Sequence, residues 1–163
     1  MTNTNLTAAK KAKNDEFYTQ LSDIEKELRF YKKHFEGKVV YCNCDDHEWS
    51  QFPRVFGEVW FKELKLKKVI ATHFSDTGDA FKAVFEAEGG KVVTKLEGNG
   101  DFRSPECIEF LKEADIVVTN PPFSLFREFV ALIAEHGKEF LVIGNKNAIT
   151  YKECFKLIKN NQM

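Results

Sequence analysis

The chain has 163 residues, 24 Lys+Arg against 25 Asp+Glu and 43% hydrophobic residues, enough for one globular domain with its own core and too few for two. A formal net charge of −1 excludes a surface that is a polycation throughout, so any nucleic-acid contact has to come from a local patch. No apolar run reaches the ~20 residues of a membrane span, the polar start has no apolar signal stretch, and Cys42, Cys44, Cys107 and Cys154 make no disulfide framework; the expectation is a cytoplasmic protein with reduced thiols and no membrane partner.

Residues 1–15 carry Lys10, Lys11 and Lys13 with no acid before Asp15, and read as a flexible, solvated arm ahead of a domain at 16–163. Ser22-Asp23-Ile24-Glu25 predicts a capped first helix with Ile24, Leu28, Tyr31 and Phe35 on one face and Gly37 as its stop. Lys38–Cys42 reads as a strand. Pro53–Leu64 reads as a helix burying Phe52, Val55, Phe56, Val59 and Trp60, and Lys67–Phe74 as the second strand. Phe81, Val84 and Phe85 at helical spacing predict a helix over Asp79–Glu88, ended by Gly89-Gly90 and followed by a strand at Lys91–Leu96.

Ser104-Pro105 places a cap and a first-turn proline in their preferred order, with Ile108 and Leu111 inward, and Asp115–Thr119 is a short apolar strand of the kind buried inside parallel sheets. An apolar helix at Leu125–His136, a fifth strand at Glu139–Gly144 and a last helix opened by Thr150-Tyr151-Lys152-Glu153 complete the pattern. Five strands interleaved with helices predict an α/β domain, doubly wound around a mostly parallel sheet. Ligands of such sheets sit beyond the carboxyl ends of the strands, so the informative residues lie just after each strand.

Asn120-Pro121-Pro122-Phe123 follows the fourth strand. Two prolines cannot continue the ladder, so the backbone leaves the sheet on fixed torsions, with the Asn120 side chain and the Pro121 carbonyl as preset acceptors. With an aromatic beside them, the tetrapeptide suits a planar ring that carries an exocyclic amino group. The bland alternative is a Pro-Pro stop, which requires neither the Asn nor the Phe. After the first strand, Cys42-Asn43-Cys44-Asp45-Asp46-His47 has no glycine, although a loop whose backbone approaches a cofactor usually carries one. Asp45 and Asp46 offer carboxylates to a cationic ligand, and one of the pair reads equally as a helix cap. The Cys-x-Cys-x-x-His spacing invites a zinc reading, but no second ligand pair accompanies it, and no metal is expected. Asp101 and Phe102, in Gly98-Asn99-Gly100-Asp101-Phe102-Arg103-Ser104, supply a carboxylate and an aromatic after the third strand; Asp101 fits a turn equally well.

Asn120–Phe123 resembles the catalytic motif of S-adenosylmethionine-dependent amino-methyltransferases in its adenine-N6 form. Asn14–Gln20 resembles the segment that closes over the methionine end of the cofactor in the DNA enzymes. With KVVYCNCDD and GDFRSPE, these stretches are similar to the EcoRI-type adenine-specific DNA methyltransferase family from about Asn14 onward, with His47 standing where that family is expected to carry Pro. The resemblance implies a Rossmann-like methyltransferase catalytic domain at 16–163, partial and C-terminally truncated, that moves a methyl group from S-adenosylmethionine to a flipped adenine of double-stranded DNA in a restriction–modification setting. By the same resemblance Asn120, Pro121, Pro122 and Phe123 are catalytic, and Phe17, Tyr18, Thr19, Cys42, Asn43, Asp45, Asp46, Asp101 and Phe102 bind the cofactor. The rival expectations are a methyltransferase for RNA or protein nitrogen, and a non-catalytic module that keeps the fold; oligomeric state is open.

Overall fold

The structure is a computed structural model that describes residues 21–163; residues 1–20, with the predicted arm, lie outside it. A six-stranded sheet is built from β1 (Val39–Cys42), β2 (Lys68–Thr72), β3 (Phe81–Glu86), β4 (Gly90–Lys95), β5 (Ile116–Thr119) and β6 (Glu139–Val142) in the order β4-β3-β2-β1-β5-β6. β2, β1, β5 and β6 run parallel, and β3 and β4 add an antiparallel hairpin at one edge.

Strand alternation divides the core into two layers. Val40, Cys42, Val69, Ala71, Ile116 and Val118 face one way, toward α1 (Leu21–Leu28) and α2 (Gln51–Arg54). There they meet Ile24, Leu28, Phe35, Phe52, Val55, Phe56 and Trp60. Tyr41, Ile70 and Val117 face the other way, toward α3 (Pro105–Glu113), α4 (Phe126–Glu135) and α5 (Lys152–Lys159), which bury Leu111, Phe129, Val130, Ile133 and Leu157. Helices on both faces of a mostly parallel sheet are the doubly wound α/β arrangement expected from the alternating pattern.

The chain departs from the predicted elements where one periodicity imitates another. Asp79–Glu88 is not a helix. Phe81, Ala83 and Phe85 alternate on one side of β3 as readily as Phe81, Val84 and Phe85 fit a helical stripe, and Gly89-Gly90 closes a hairpin, with Gly90 at φ 61°, instead of ending a helix. The sheet gains a strand, and β4 lies fully exposed at the edge with Lys91 and Lys95 along it. Predicted inward, Val59 is 47% exposed, because Val55–Val59 forms a π turn closed by Trp60 N–H donating to the Val55 carbonyl (2.8 Å), and the wider turn rotates Val59 outward while Trp60 stays buried. Tyr31 turns out for the opposite reason: after Leu28 the first helix tightens to a 3₁₀ segment (Arg29–His34), and the helical face is lost before it reappears at buried Phe35. Thr150 does not cap α5. Its hydroxyl donates to the Asn147 carbonyl (2.7 Å) within a short 3₁₀ turn (Lys146–Thr150), and the helix starts two residues later.

The Ser104 hydroxyl accepts from the Cys107 N–H (3.2 Å), which confirms the cap of α3. A Cβ at Gly57 would lie 2.6 Å from the buried Phe85 ring, so the π turn after α2 packs on β3 only because this position has no side chain. Gly57→Ala is expected to lower unfolding free energy by about 1–3 kcal/mol through overpacking. Gly89→Ala, where a Cβ meets nothing within 4 Å, should stay within about 0.5 kcal/mol of wild type. Urea denaturation of the two variants measures both.

Candidate active site

The strand order changes direction between β1 and β5: β1 leads outward to β2 on one side, while β5 leads to β6 on the other. Loops after two such strands diverge and leave a crevice between them, where ligands of doubly wound sheets bind. In this protein hydrogen bonds fasten the mouth of that crevice. The Asp45 N–H donates to the Thr72 carbonyl at the end of β2 (2.9 Å), and the Cys44 N–H to the Thr119 hydroxyl at the end of β5 (3.2 Å). The Ile143 N–H, after β6, donates to the Thr119 carbonyl (3.2 Å). On the far side the Ser75 N–H donates to the Asn99 carbonyl (2.9 Å), and Gly100, at φ 76°, passes so close to the His73 carbonyl that a Cβ would sit 1.9 Å from its oxygen. Only glycine fits there.

Asp45 lies at the centre of this arrangement. Its carboxylate accepts from the Ser50 hydroxyl, the Thr119 hydroxyl and the backbone N–H of Asn120, and the residue is 3% exposed. Burial pushes its pKa up to about 6; the three donors pull the other way, and neighbouring Asp46 adds to the rise. Asp46 turns outward. Its Oδ1 accepts from the Glu48 N–H (2.8 Å) in a local turn and its Oδ2 lies 3.3 Å from His73 Nε2. Of the two acids, Asp45 is tied to the end of β5 and Asp46 to its own turn and to His73.

Asn43 is 2% exposed, and its Oδ1 has no hydrogen-bond partner among the described residues. A buried carbonyl oxygen left in that state is an under-satisfied acceptor. Cys42 points its side chain into the core layer beneath the loop, where burial raises its thiol pKa well above the ordinary range, so only its backbone can reach a cofactor. Asp101 keeps a partly exposed carboxylate, held below the usual pKa by Arg103, whose Nε (2.9 Å) and second guanidinium nitrogen (2.7 Å) bind its two oxygens; Arg103 continues to Glu128 on α4 (2.8 Å). Phe102 does not line the crevice: it is 5% exposed, edge-on to Phe129 with ring centroids 5.2 Å apart, and serves the core. Phe17, Tyr18 and Thr19 lie outside the described residues.

The backbone of the tetrapeptide after β5 leaves the sheet at its prolines. Asn120 and Pro121 are buried, Pro122 is half-buried in extended backbone (φ −60°, ψ 128°), and Phe123 opens a 3₁₀ turn with its ring 37% exposed. The Asn120 N–H on Asp45 brings this segment within one hydrogen bond of the loop after β1. Sequence reasoning missed Thr72, Thr119 and Ser50, which do this joining. The signal was present for Thr119, which ends the otherwise aliphatic buried strand Ile116–Thr119, where a hydroxyl has to find a partner; Thr72 joins through its backbone carbonyl, which no side-chain type announces. It also passed over the loop after β6, where Gly144 packs against the Phe126 ring and leaves Asn145, Lys146 and Asn147 exposed. Among the described residues no three His, Cys, Asp or Glu side chains are grouped to hold a metal ion, and no helix is long and apolar enough to cross a membrane.

A Rossmann-like α/β domain with an Asn-Pro-Pro-Phe segment and an acidic loop joined at its switch point has the architecture of a methyltransferase. A family model described as adenine-specific methyltransferase EcoRI matches residues 5–163. The chain is 48% identical to the Type II methyltransferase M.EcoRI of Escherichia coli over 179 residues, covering 99% of this chain and 55% of that protein. It is 50% identical over 155 residues to the Type II methyltransferase M.MpnI of Mycoplasma pneumoniae and 49% identical over 156 residues to M.MgeORF184P of Mycoplasma genitalium, in each case 95% of this chain and 48% of the relative. No solved structure matches. The chain belongs to the EcoRI-type adenine-specific methyltransferase family, and it spans about half the length of the curated relatives it matches.

Asp45 gives the domain a pH-dependent stability whose sign follows from its burial. Its folded pKa of about 6 lies above the unfolded value of 3.8, so the folded state holds the proton more tightly, and this contribution is full below about pH 4 and lost as pH rises through 6. A shift of roughly 2 units at 1.36 kcal/mol each amounts to about 3 kcal/mol. The unfolding free energy of wild type relative to Asp45→Asn should therefore fall by about 3 kcal/mol between pH 3 and pH 7. A constant difference across that range would show an unshifted carboxyl.

Proposed function

We propose that the domain binds S-adenosylmethionine in the crevice between the loops after β1 and β5 and holds the centre for methyl transfer to the N6 amino group of an adenine in DNA. The observation that carries this reading is the hydrogen-bonded junction of the two loops. A cofactor loop and a base-binding segment must meet if a methyl donor and an acceptor nitrogen are to be held in line, and here they meet at Asp45 and Asn120.

The residues suit the cofactor's groups. The buried Asn43 Oδ1 accepts from a hydroxyl or amino donor, Asp46 complements a positive charge from its partly open position, and Asp101 remains within reach of the same side. Phe17, Tyr18 and Thr19 complete the site as the segment closing over the methionine end. When bound, S-adenosylmethionine supplies an electrophilic methyl group on its sulfonium. An adenine amino group inside a duplex cannot reach it, so the base has to leave the stack. The Asn120 side chain and the Pro121 carbonyl accept from that amino group and favour a nitrogen with an available lone pair, while the half-exposed Phe123 ring covers the base face. The two prolines fix the acceptors before the base arrives, and no thiol takes part.

Calorimetry with S-adenosylhomocysteine tests the cofactor claim on the chain itself. Asn43→Ala and Asp46→Ala should each weaken binding by about 1–3 kcal/mol, and unchanged affinity in both would move the cofactor elsewhere.

The catalytic assignment is tested by methyl transfer to DNA in a chain extended to the length of its relatives. Asn120→Ala should abolish transfer and leave S-adenosylhomocysteine affinity nearly unchanged, while Phe123→Ala should weaken the base complex by roughly 1–3 kcal/mol of lost stacking. Near-normal transfer by a well-folded Asn120→Ala variant would reduce the tetrapeptide to a Pro-Pro stop.

A further inference from the structure

We infer that Asp45 is a positioning residue for the base-binding segment, a buried strut that fixes the Asn120 backbone, and that its carboxylate does not bind the methyl donor. The inference rests on the methyltransferase reading for what Asn120 does, and on geometry alone for what Asp45 does.

Three protein donors occupy this carboxylate from separate parts of the chain: the Ser50 hydroxyl ahead of α2, the Thr119 hydroxyl at the end of β5, and the Asn120 N–H. Both of its oxygens are already engaged by protein donors, whereas the equally buried Asn43 Oδ1 has no hydrogen-bond partner among the described residues. A carboxylate accepts along about four lone-pair directions. With three taken inside a buried pocket, a cofactor ammonium or hydroxyl would have to displace a protein donor to reach it. The neighbouring acid, Asp46, has the opposite disposition: it is partly open and directed toward His73.

The bonds also explain why the base-binding segment holds its position. Pro121 and Pro122 have no N–H, so beyond Thr119 the Asn120 amide is the last backbone donor before Phe123 that can anchor this turn. A peptide amide on a carboxylate forms a charge-assisted bond, stronger than one to a neutral carbonyl. The same carboxylate holds the Thr119 hydroxyl, which in turn accepts from the Cys44 N–H. A displacement of the loop after β1 is therefore transmitted to the Asn120 backbone through two routes, Asp45 itself and Cys44–Thr119. Asp46 is the titratable group whose charge acts on Asp45, Asp45 in turn raises the Cys42 thiol, and His73 sits on the far oxygen of Asp46.

The test is a pH titration of the isotopically labelled chain by NMR, following the Asp45 carboxyl carbon and the Asn120 amide, with S-adenosylhomocysteine affinity measured in parallel by calorimetry. The Asn120 amide should move with the same midpoint as the Asp45 carboxyl, and Asp45→Asn should abolish that movement while keeping S-adenosylhomocysteine affinity within about threefold. A stationary Asn120 amide during Asp45 titration, or a loss of tenfold or more in affinity in Asp45→Asn, would overturn the inference. Should Asp45→Asn not fold, Thr119→Val serves: removing one donor should raise the Asp45 midpoint and shift the Asn120 amide, and no change in either would equally overturn it. If wild type fails to bind S-adenosylhomocysteine while the two resonances still titrate together, the strut stands and the methyltransferase reading of the site falls.

Discussion

The ends of three parallel strands are held together by hydrogen bonds from one glycine-free loop, through its backbone amides and through a buried carboxylate. In a glycine-rich loop the backbone itself approaches the ligand, and the absence of Cβ atoms makes the room. The segment Asn43–Ser50 has a Cβ at every position. It crosses the sheet edge at a distance set by side chains, with its own amides on Thr72 and Thr119 and its buried carboxylate on Ser50, Thr119 and Asn120. The one side-chain acceptor of this loop buried without a partner among the described residues, apart from His47, is Asn43 Oδ1. The glycine that the arrangement does need lies across the crevice, where Gly100 passes the His73 carbonyl.

Placing a carboxylate at the centre of this junction carries an electrostatic cost, which its surroundings only partly offset. Among the described residues no cation lies against Asp45; it is held by two hydroxyls and one amide, and burial still raises its pKa to about 6. A neutral residue of similar shape would avoid the desolvation but could not accept from three donors at once. Geometric definition is obtained at the expense of stability near neutral pH, a balance found where a fold holds groups for chemistry. Asp101 is the contrasting case: Arg103 grips both of its oxygens, its pKa falls, and the pair ties the loop after β4 to α4 through Glu128.

What could be read in the sequence follows from what each signal depends on. The parallel strands, α3 with its Ser104 cap, and the apolar α4 rest on local periodicity and capping, and their positions agree with the structure. The β3–β4 hairpin was hidden because Phe81, Ala83, Val84 and Phe85 satisfy both a helical and an alternating pattern, and the choice between them was made by pairing with β2, a long-range contact. Val59 and Tyr31 were misplaced because a π turn and a 3₁₀ turn change the angle per residue, which no count at 3.6 can register. Within the site, the Asn-Pro-Pro-Phe segment was legible because prolines dictate their own backbone. The division of labour between Asp45 and Asp46 was not. Which of two adjacent acids turns inward is decided by Thr119 and Asn120, the former 74 positions along the chain.

The same long-range dependence explains why the Asn-Pro-Pro-Phe segment cannot be treated as a free-standing tetrapeptide. Asn-Pro-Pro-Phe sets its own torsions after Asn120, but its direction out of the sheet depends on the residue at which the ladder ends. Thr119 is fully buried and makes contacts in three directions: its carbonyl accepts from Ile143 after β6, its hydroxyl accepts from Cys44, and the same hydroxyl donates to Asp45. A valine there would keep the strand and its packing while losing both hydroxyl contacts. The tetrapeptide would then be intact in sequence and unconstrained in aim, since Asn120 would keep its amide on Asp45 with one fewer bond holding Asp45 in place. The functional unit is therefore larger than the motif. It comprises two strand-ending threonines, one inward acid and the four residues after β5, all between Asp45 and Phe123 and all assembled by the parallel pairing of β2, β1 and β5.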